Sequence, residues 1–444
     1  MKKQVAYSAQ QQAQGQPTLE GVAASETPRA VENKGQRLFR SLRQRNFRLY
    51  WFGQMVSLVG TWMQSIGQAW LVLTLTHSPV QLGVVGALQW LPVLLFSLFG
   101  GVFADRWPKR RVLLITQTAA MLQALLLWGL VATSTVQIWH IYLLALLLGL
   151  TNCLGWPAGR AFTVELVGRE DLPNAIALNA SLANLARIVG PGLGGVIIAL
   201  RGEAALFLLN ALSFLAVIAA LALINTRLLH AQPAPQGSVS GPQTIWQRLG
   251  EGIAYVWKTP AVLSVILVVA LVLLFGSNFN IFLPLFATAV LHAGPSGFGF
   301  LSAAIGAGSL LAALWLAWRN QQPAMRRVLA GVLLFGVLEV GFALSPLYPL
   351  SIALIAGVGF AETTFASLAT TMLQTVTPDH LRGRVMSVQV LFFDGTVPVG
   401  YLLVGWLASL AGPSIAMLIC ACLCLLIAGV GWRWREVVAG SVSK

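Results

Sequence analysis

The chain has 444 residues, 57% of them hydrophobic and only 9% charged, with a mean hydropathy of +0.76 and a formal net charge of +14. A water-soluble domain of this size cannot hide so much apolar surface, so the composition excludes an ordinary globular enzyme and points to lipid as the solvent. A nucleic-acid surface is excluded too: with both termini cytoplasmic, all but Arg187 and Arg201 of the 28 Lys and Arg fall on the cytoplasmic side, which is the positive-inside pattern.

In chain order, residues 1–36 are polar, rich in Gln and Ala, and predict a disordered cytoplasmic tail without the apolar core of a signal peptide. The basic amphipathic stretch RLFRSLRQRNFRLY (37–50) should lie along the headgroups. Six apolar segments long enough to cross the hydrocarbon follow, near 50–75, 80–104, 111–132, 138–160, 175–199 and 204–225, so that 37–225 forms a first bundle. Between the second and third spans lies GGVFADRWPKRR (100–111). Its glycines permit close helix approach, and its acid followed by a basic cluster suits a movable latch on the cytoplasmic face.

Residues 226–260 read as a cytoplasmic linker, with a flexible middle (QPAPQGSVSGPQ, 232–243) and an amphipathic end (TIWQRLGEGIAYVWK, 244–258). A second bundle, 261–434, has spans near 261–287, 298–318, 328–345, 349–371, 385–410 and 413–432, and 435–444 is a short cytoplasmic tail. The expected fold is an all-α membrane protein of twelve transmembrane helices in two six-helix, pseudo-symmetric bundles. The halves show a weak repeat: ELVGREDLPNAIAL (165–178) lies on QTVTPDHLRGRVMS (374–387), and KRRVL (109–113) on MRRVL (325–329). Such repeats place a substrate site between the halves, near the bilayer midplane.

Four charges fall inside spans: Arg187, Glu339, Glu362 and Asp394. Each costs ~2.5–3.5 kcal/mol on insertion scales, so each should face a cavity or a partner. Arg187 and Asp394 each sit four residues before a proline, Pro191 and Pro398, which removes a helical N–H and predicts a bend in each half. One or more of Glu339, Glu362 and Asp394 is the expected proton carrier, the other reading being a static partner for Arg187. Gly190, Pro191, Gly194 and Gly195 give the fifth span a smooth face for close helix packing. The four cysteines form no disulfide framework or metal pair, the five histidines show no metal spacing, and no phosphate-binding loop is present. No metal, no cofactor and no enzymatic activity are expected.

Five segments together resemble the major facilitator superfamily, in its twelve-span enterobactin-exporter and macrolide-efflux branch, over roughly residues 40–435. They are FRLYWFGQMVSLVGTWMQSIGQAWLVLTLTHSP (47–79), the basic turn at 100–111, NLARIVGPGLGG (184–195), FLLNALSFL (207–215) and TPDHLRGRVMS (377–387). The resemblance identifies Gly101, Asp105, Arg106, Lys109 and Arg110 with the superfamily's signature gating loop, with Pro108 where a second glycine is usual. It implies that the acid contacts the cytoplasmic end of the eleventh span, near Arg384, when that side is closed. It likens 184–195 to the antiporter motif. It makes spans one, four, seven and ten line the cavity, which nominates Trp62, Gln64, Gln68, Asn152, Trp156, Asn278, Asn280, Glu362 and Phe365.

Aromatics with a few amides and one acid suit an amphipathic organic molecule, a cation included. The function expected is export of a drug, siderophore or metabolite across the bacterial inner membrane, by alternating access with proton antiport, in a monomer. An uncoupled facilitator or lysolipid flippase of the same fold, and a non-transporting receptor or assembly factor, stay open as alternatives.

Overall fold

The computed structural model describes residues 39–230, 245–319 and 323–442, and side chains within these except at 97–106, 245–246, 248–249 and 434–442. The chain separates into the units Met1–Arg40 and Ser41–Lys444, and every α-helix among the described residues belongs to the second. The expected tail 1–36 and the flexible middle of the linker lie outside the described residues.

The elements are all helical: α1 (Arg45–Thr76), α2 (Pro79–Arg106), α3 (Lys109–Ala132), α4 (Ile138–Leu223), α5 (Ile245–Lys258), α6 (Pro260–Phe275), α7 (Phe279–Ala289), α8 (Gly294–Arg319), α9 (Met325–Leu344), α10 (Tyr348–Val376), α11 (Asp379–Ala411) and α12 (Pro413–Val442). Among the described residues nine stretches are long and apolar enough to cross a membrane, with α6 and α7 counted as one. The 86 residues of α4 cannot be one span, and the chain leaves the helix at Gly168 (φ 71°) and Gly202 (φ 77°), where only glycine adopts the backbone without strain. These turns cut α4 into three limbs, 138–167, 169–201 and 203–223, each able to cross. With them and α1, the helices match the expected order of spans. α5 covers the amphipathic end of the linker, and α12 runs on to Val442, into the stretch read as a tail.

Local chemistry explains the boundaries. Ser78 caps α2 by accepting from the Gln81 N–H, with Pro79 in the first turn. Span seven is broken: α6 stops at Phe275, and the Asn278 side-chain amide donates to the exposed carbonyls of Leu274 (2.8 Å) and Phe275 (3.1 Å). The expected bends at Pro191 and Pro398 do not interrupt their helices, since α4 leaves helical dihedrals only at the two glycines and α11 continues to Ala411. The Arg187 carbonyl, which Pro191 deprives of its helical donor, packs against Gly306 of α8.

The buried apolar residues form two clusters. One is confined to the first half and includes Phe47, Tyr50, Phe162 and Phe214. The other runs from Ile66, Val85 and Ile198 of the first half into Phe298, Tyr401 and Val404 of the second. The two halves therefore share a core toward one end of the bundle, away from the basic turns that precede α3, α9 and α11.

Candidate functional site

At that shared end the halves meet through glycine. A Cβ on Gly195 would lie 2.6 Å from the Pro295 carbonyl of α8, and one on Gly299 of α8 would lie 2.5 Å from the Pro191 carbonyl. In the other seam a Cβ on Gly83 of α2 would lie 2.5 Å from the Tyr401 carbonyl of α11, and one on Gly405 would lie 2.7 Å from the Pro79 carbonyl. Small residues let backbones approach this closely. Gly83 and Gly299 are separated by the same offset that lays 109–113 on 325–329, so the seams occupy matching places in the repeat. Of the packing motif, Gly190 lies against Trp62, Gly194 against Met63 and Gly195 against Gly299.

Toward the basic end the first half bears a cavity of about 730 Å³. It reaches from Thr61 and Thr151, at mid-span, to Leu172 and Asn179 near the basic turns, and it draws its wall from α1, α3 and α4. Asn152 and Trp156, two of the nominated residues, line it. Others lie elsewhere. Gln64 is buried in an amide cluster, donating to Gln123 Oε1 (2.9 Å) and accepting from Asn210 Nδ2 (2.6 Å), so it ties α1 to α3 and to the third limb of α4. Gln68 is buried as well. Trp62 carries the Arg187 guanidinium over its ring at 6.0 Å. Phe365 is fully enclosed, edge-on to Phe335 at 5.5 Å, in the core of the second half.

The second half holds a polar group at the break in span seven. Ser277 donates to Glu362 of α10, and Asn280 donates to the Tyr401 hydroxyl at 2.7 Å. Tyr401 is within electrostatic reach of both Glu362 and Arg187, so this group faces the first half. Asp394 is half-buried on α11 and interacts electrostatically with Arg160 of the first half. Glu339 is different: it is completely buried, and neither carboxylate oxygen has a hydrogen-bond partner among the described residues. Sequence reasoning missed Arg160, Ser277 and Tyr401. Arg160 reads in the sequence only as a topology charge, and Ser277 and Tyr401 carry no motif.

At the basic end, the side chains of Gly101, Asp105 and Arg106 lie outside the described ones. The neighbouring cations are engaged within the first half. Arg110 donates to the carbonyls of Leu221 (2.7 Å) and Ala222 (2.9 Å), capping the C-terminal end of α4, where a cation is favoured. Lys109 is within electrostatic reach of Glu165. Arg384, the expected neighbour of the latch acid, is paired with Glu251 of the linker helix α5, whose Gly252 packs on the Arg384 backbone. Among the described residues no group of His, Cys, Asp and Glu could hold a metal ion.

Comparison with known proteins accords with this geometry. A family profile described as transmembrane secretion effector matches residues 37–439. The multidrug efflux pump Tap of Mycolicibacterium fortuitum is 30% identical over 369 residues, covering 81% of this chain and 88% of that one. The enterobactin exporter EntS of Shigella boydii is 28% identical over 401 residues, covering 88% and 93%. Among solved structures, a bacterial homologue of the human lysosomal transporter Spinster superposes with a TM-score of 0.71 at 11% identity, covering 92% of this chain and 99% of that one.

Proposed function

Because the chain belongs to the transmembrane secretion effector family of the major facilitator superfamily, we propose that it exports a small amphipathic organic molecule by alternating access, driven by inward proton flow. At the coarser level it is an efflux transporter of that superfamily and a multi-pass protein of the bacterial inner membrane, not an enzyme. The finer reading takes both termini as cytoplasmic, a monomer as the working unit, and the bundles 37–225 and 261–434 as bodies that rock about the linker 226–260. The observation that carries it is the asymmetry of the two ends: glycine seams join the halves at one, and a cavity of about 730 Å³ extends toward the other. A site reached from one side only is one state of an alternating-access cycle. Reversing it requires the seams to part and the basic end to close.

Proton coupling is assigned first to Asp394 and Glu362. Asp394 interacts electrostatically with Arg160 of the other half, and Glu362 lies within electrostatic reach of Tyr401, whose ring and carbonyl lie against α2 of the other half. A carrier must exchange protons with water on each side in turn, and carboxyls at the moving interface can do so. Glu339 is sealed in the second half and is the weakest of the three candidates. In the closed basic end, Asp105 docks at the start of α11, displacing Glu251 from Arg384.

The test is substrate-driven pH change in proteoliposomes with wild type, Asp394→Asn and Glu362→Gln. The expected result is proton movement in wild type and at least a tenfold loss in one mutant that still binds substrate, a factor equal to ~1.4 kcal/mol. Transport without proton movement would instead make the protein a facilitator or flippase. No transport with a broad panel of drugs, siderophores and lysolipids would make it a receptor or assembly factor.

A further inference from the structure

The cavity of the first half is large enough to take most of a drug-sized molecule, and its wall has a definite chemistry. Hydroxyls and amides, such as Ser57, Thr116 and Asn152, alternate with apolar and aromatic surface. Arg160 is its one charged wall residue among the described residues. Its side chain is exposed into the cavity and has no hydrogen bond or direct ion pair among the described residues. An arginine held without a direct partner in a cavity wall is poised for a partner that comes and goes. The guanidinium fork matches a carboxylate, sulfonate or phosphate with two parallel hydrogen bonds and repels a cation.

A second observation also points to a ligand. The side-chain oxygens of Gln54 and Gln117, both in the same wall, are buried and accept no hydrogen bond. Buried acceptors without donors are uncommon in a finished structure, because each forfeits its hydration. A turn of either side chain toward the cavity would let a ligand's hydroxyl or N–H group satisfy its oxygen.

We infer that the cavity binds an amphipathic aromatic anion, with its acid group on the Arg160 guanidinium, its donors on the amide oxygens of Gln54 and Gln117, and its rings against Trp156 and Tyr50. This names the substrate class for the export reading above and rests on it; it also replaces the cation that the composition of the spans allowed. Asp394 of the other half supplies the long-range counter-charge to Arg160 in the empty site, and the ligand's acid group takes over that role when bound.

Two xanthene dyes of the same skeleton and opposite charge test the inference: fluorescein, a dianion, and rhodamine 123, a cation. Fluorescence anisotropy with the full chain in nanodiscs should show fluorescein binding at least tenfold tighter. Arg160→Gln should remove that preference, and Arg160→Lys should retain part of it. Thermal melting of each variant distinguishes a lost site from a lost fold, and the lysine variant keeps the test alive if the glutamine variant does not fold. Equal or tighter binding of rhodamine 123, unchanged fluorescein affinity in a folded Arg160→Gln, or binding of neither dye overturns the inference. Inside-out vesicles separate it from the export reading. If fluorescein binds as expected but neither dye is accumulated, export fails and the anion site stands. If both dyes are accumulated without a preference for fluorescein, export stands and the anion site fails.

Discussion

Where Gly83, Gly195, Gly299 and Gly405 lie, the halves touch main chain to main chain, whereas toward the basic turns side chains tie elements within a half or to the linker: Arg110 on the end of α4, Asn46 reciprocally with the Asn225 backbone (2.9 and 3.1 Å), and Arg384 with Glu251 of α5. The first kind of contact depends on shape and tolerates no added atom. The second depends on charge and hydrogen bonding, and its partners can be exchanged. The seams between the halves and the ties at the basic end are thus built from different physics. One is specified by the absence of side chains and the other by their presence.

The largest expected effect comes from filling a seam. In Gly299→Leu the new side chain meets the backbone of Pro191 and Gly195, so it cannot be relieved by rotating a neighbour. Overpacking of this kind costs ~1–3 kcal/mol or more, enough to depopulate the state closed at that end by roughly tenfold to a hundredfold. Export should fall by that factor. A Thr61→Cys probe, in a background without the native cysteines, should become reactive from the opposite side of the membrane. Unchanged labelling would show that the seam does not close the path.

Next in size is Gly83→Ala at the matching place in the repeat, where a single methyl meets the Tyr401 carbonyl; a fall of about tenfold is expected. Normal export in this variant would make the two seams unequal. Arg110→Gln acts at the other end and removes two charge-assisted hydrogen bonds to helix-terminal carbonyls. It should lower stability by about 1–2 kcal/mol, read as a lower melting temperature, without opening the glycine seams. The smallest effect belongs to Glu251→Gln. Its pair with Arg384 is partly exposed, so about 0–1 kcal/mol is at stake and transport rates should shift by no more than a few-fold, an effect erased at high salt. A tenfold change there would mean that the pairing of the linker helix with α11 controls the transport rate.

Much of this architecture was readable from apolar segment lengths, because lipid demands about the same length of every span, and from the distribution of Lys and Arg. The fifth-span glycines were readable as a packing face, since glycine at that density has few other uses. Their partner Gly299 was not, because a glycine in an apolar helix looks the same whether it faces lipid or another helix. The same ambiguity affects the site. Gln64 and Asn152 are both amides within spans, but one is spent on Gln123 and Asn210 while the other lines the cavity, and nothing in their local sequence distinguishes them. Arg160 sits at the end of an apolar stretch, where a basic residue ordinarily serves topology, and only the folded wall reveals that it faces the cavity. Asp105, the best-marked residue in the sequence, has its side chain outside the described ones.

The break at Gly276–Asn278 has a mechanical consequence. α7, beyond the break, touches α1 and α2 of the first half as well as α8, α11 and α12 of its own, while α6, before it, packs among α10, α11 and α12 of the second. An unbroken rod anchored to both bodies would resist their rotation along its whole length. Divided at this point, span seven carries a joint between a segment that touches both bodies and a segment packed in its own. The Asn278 amide satisfies the severed carbonyls with bonds to its own inner segment, so the joint does not leave these main-chain groups bare in the membrane.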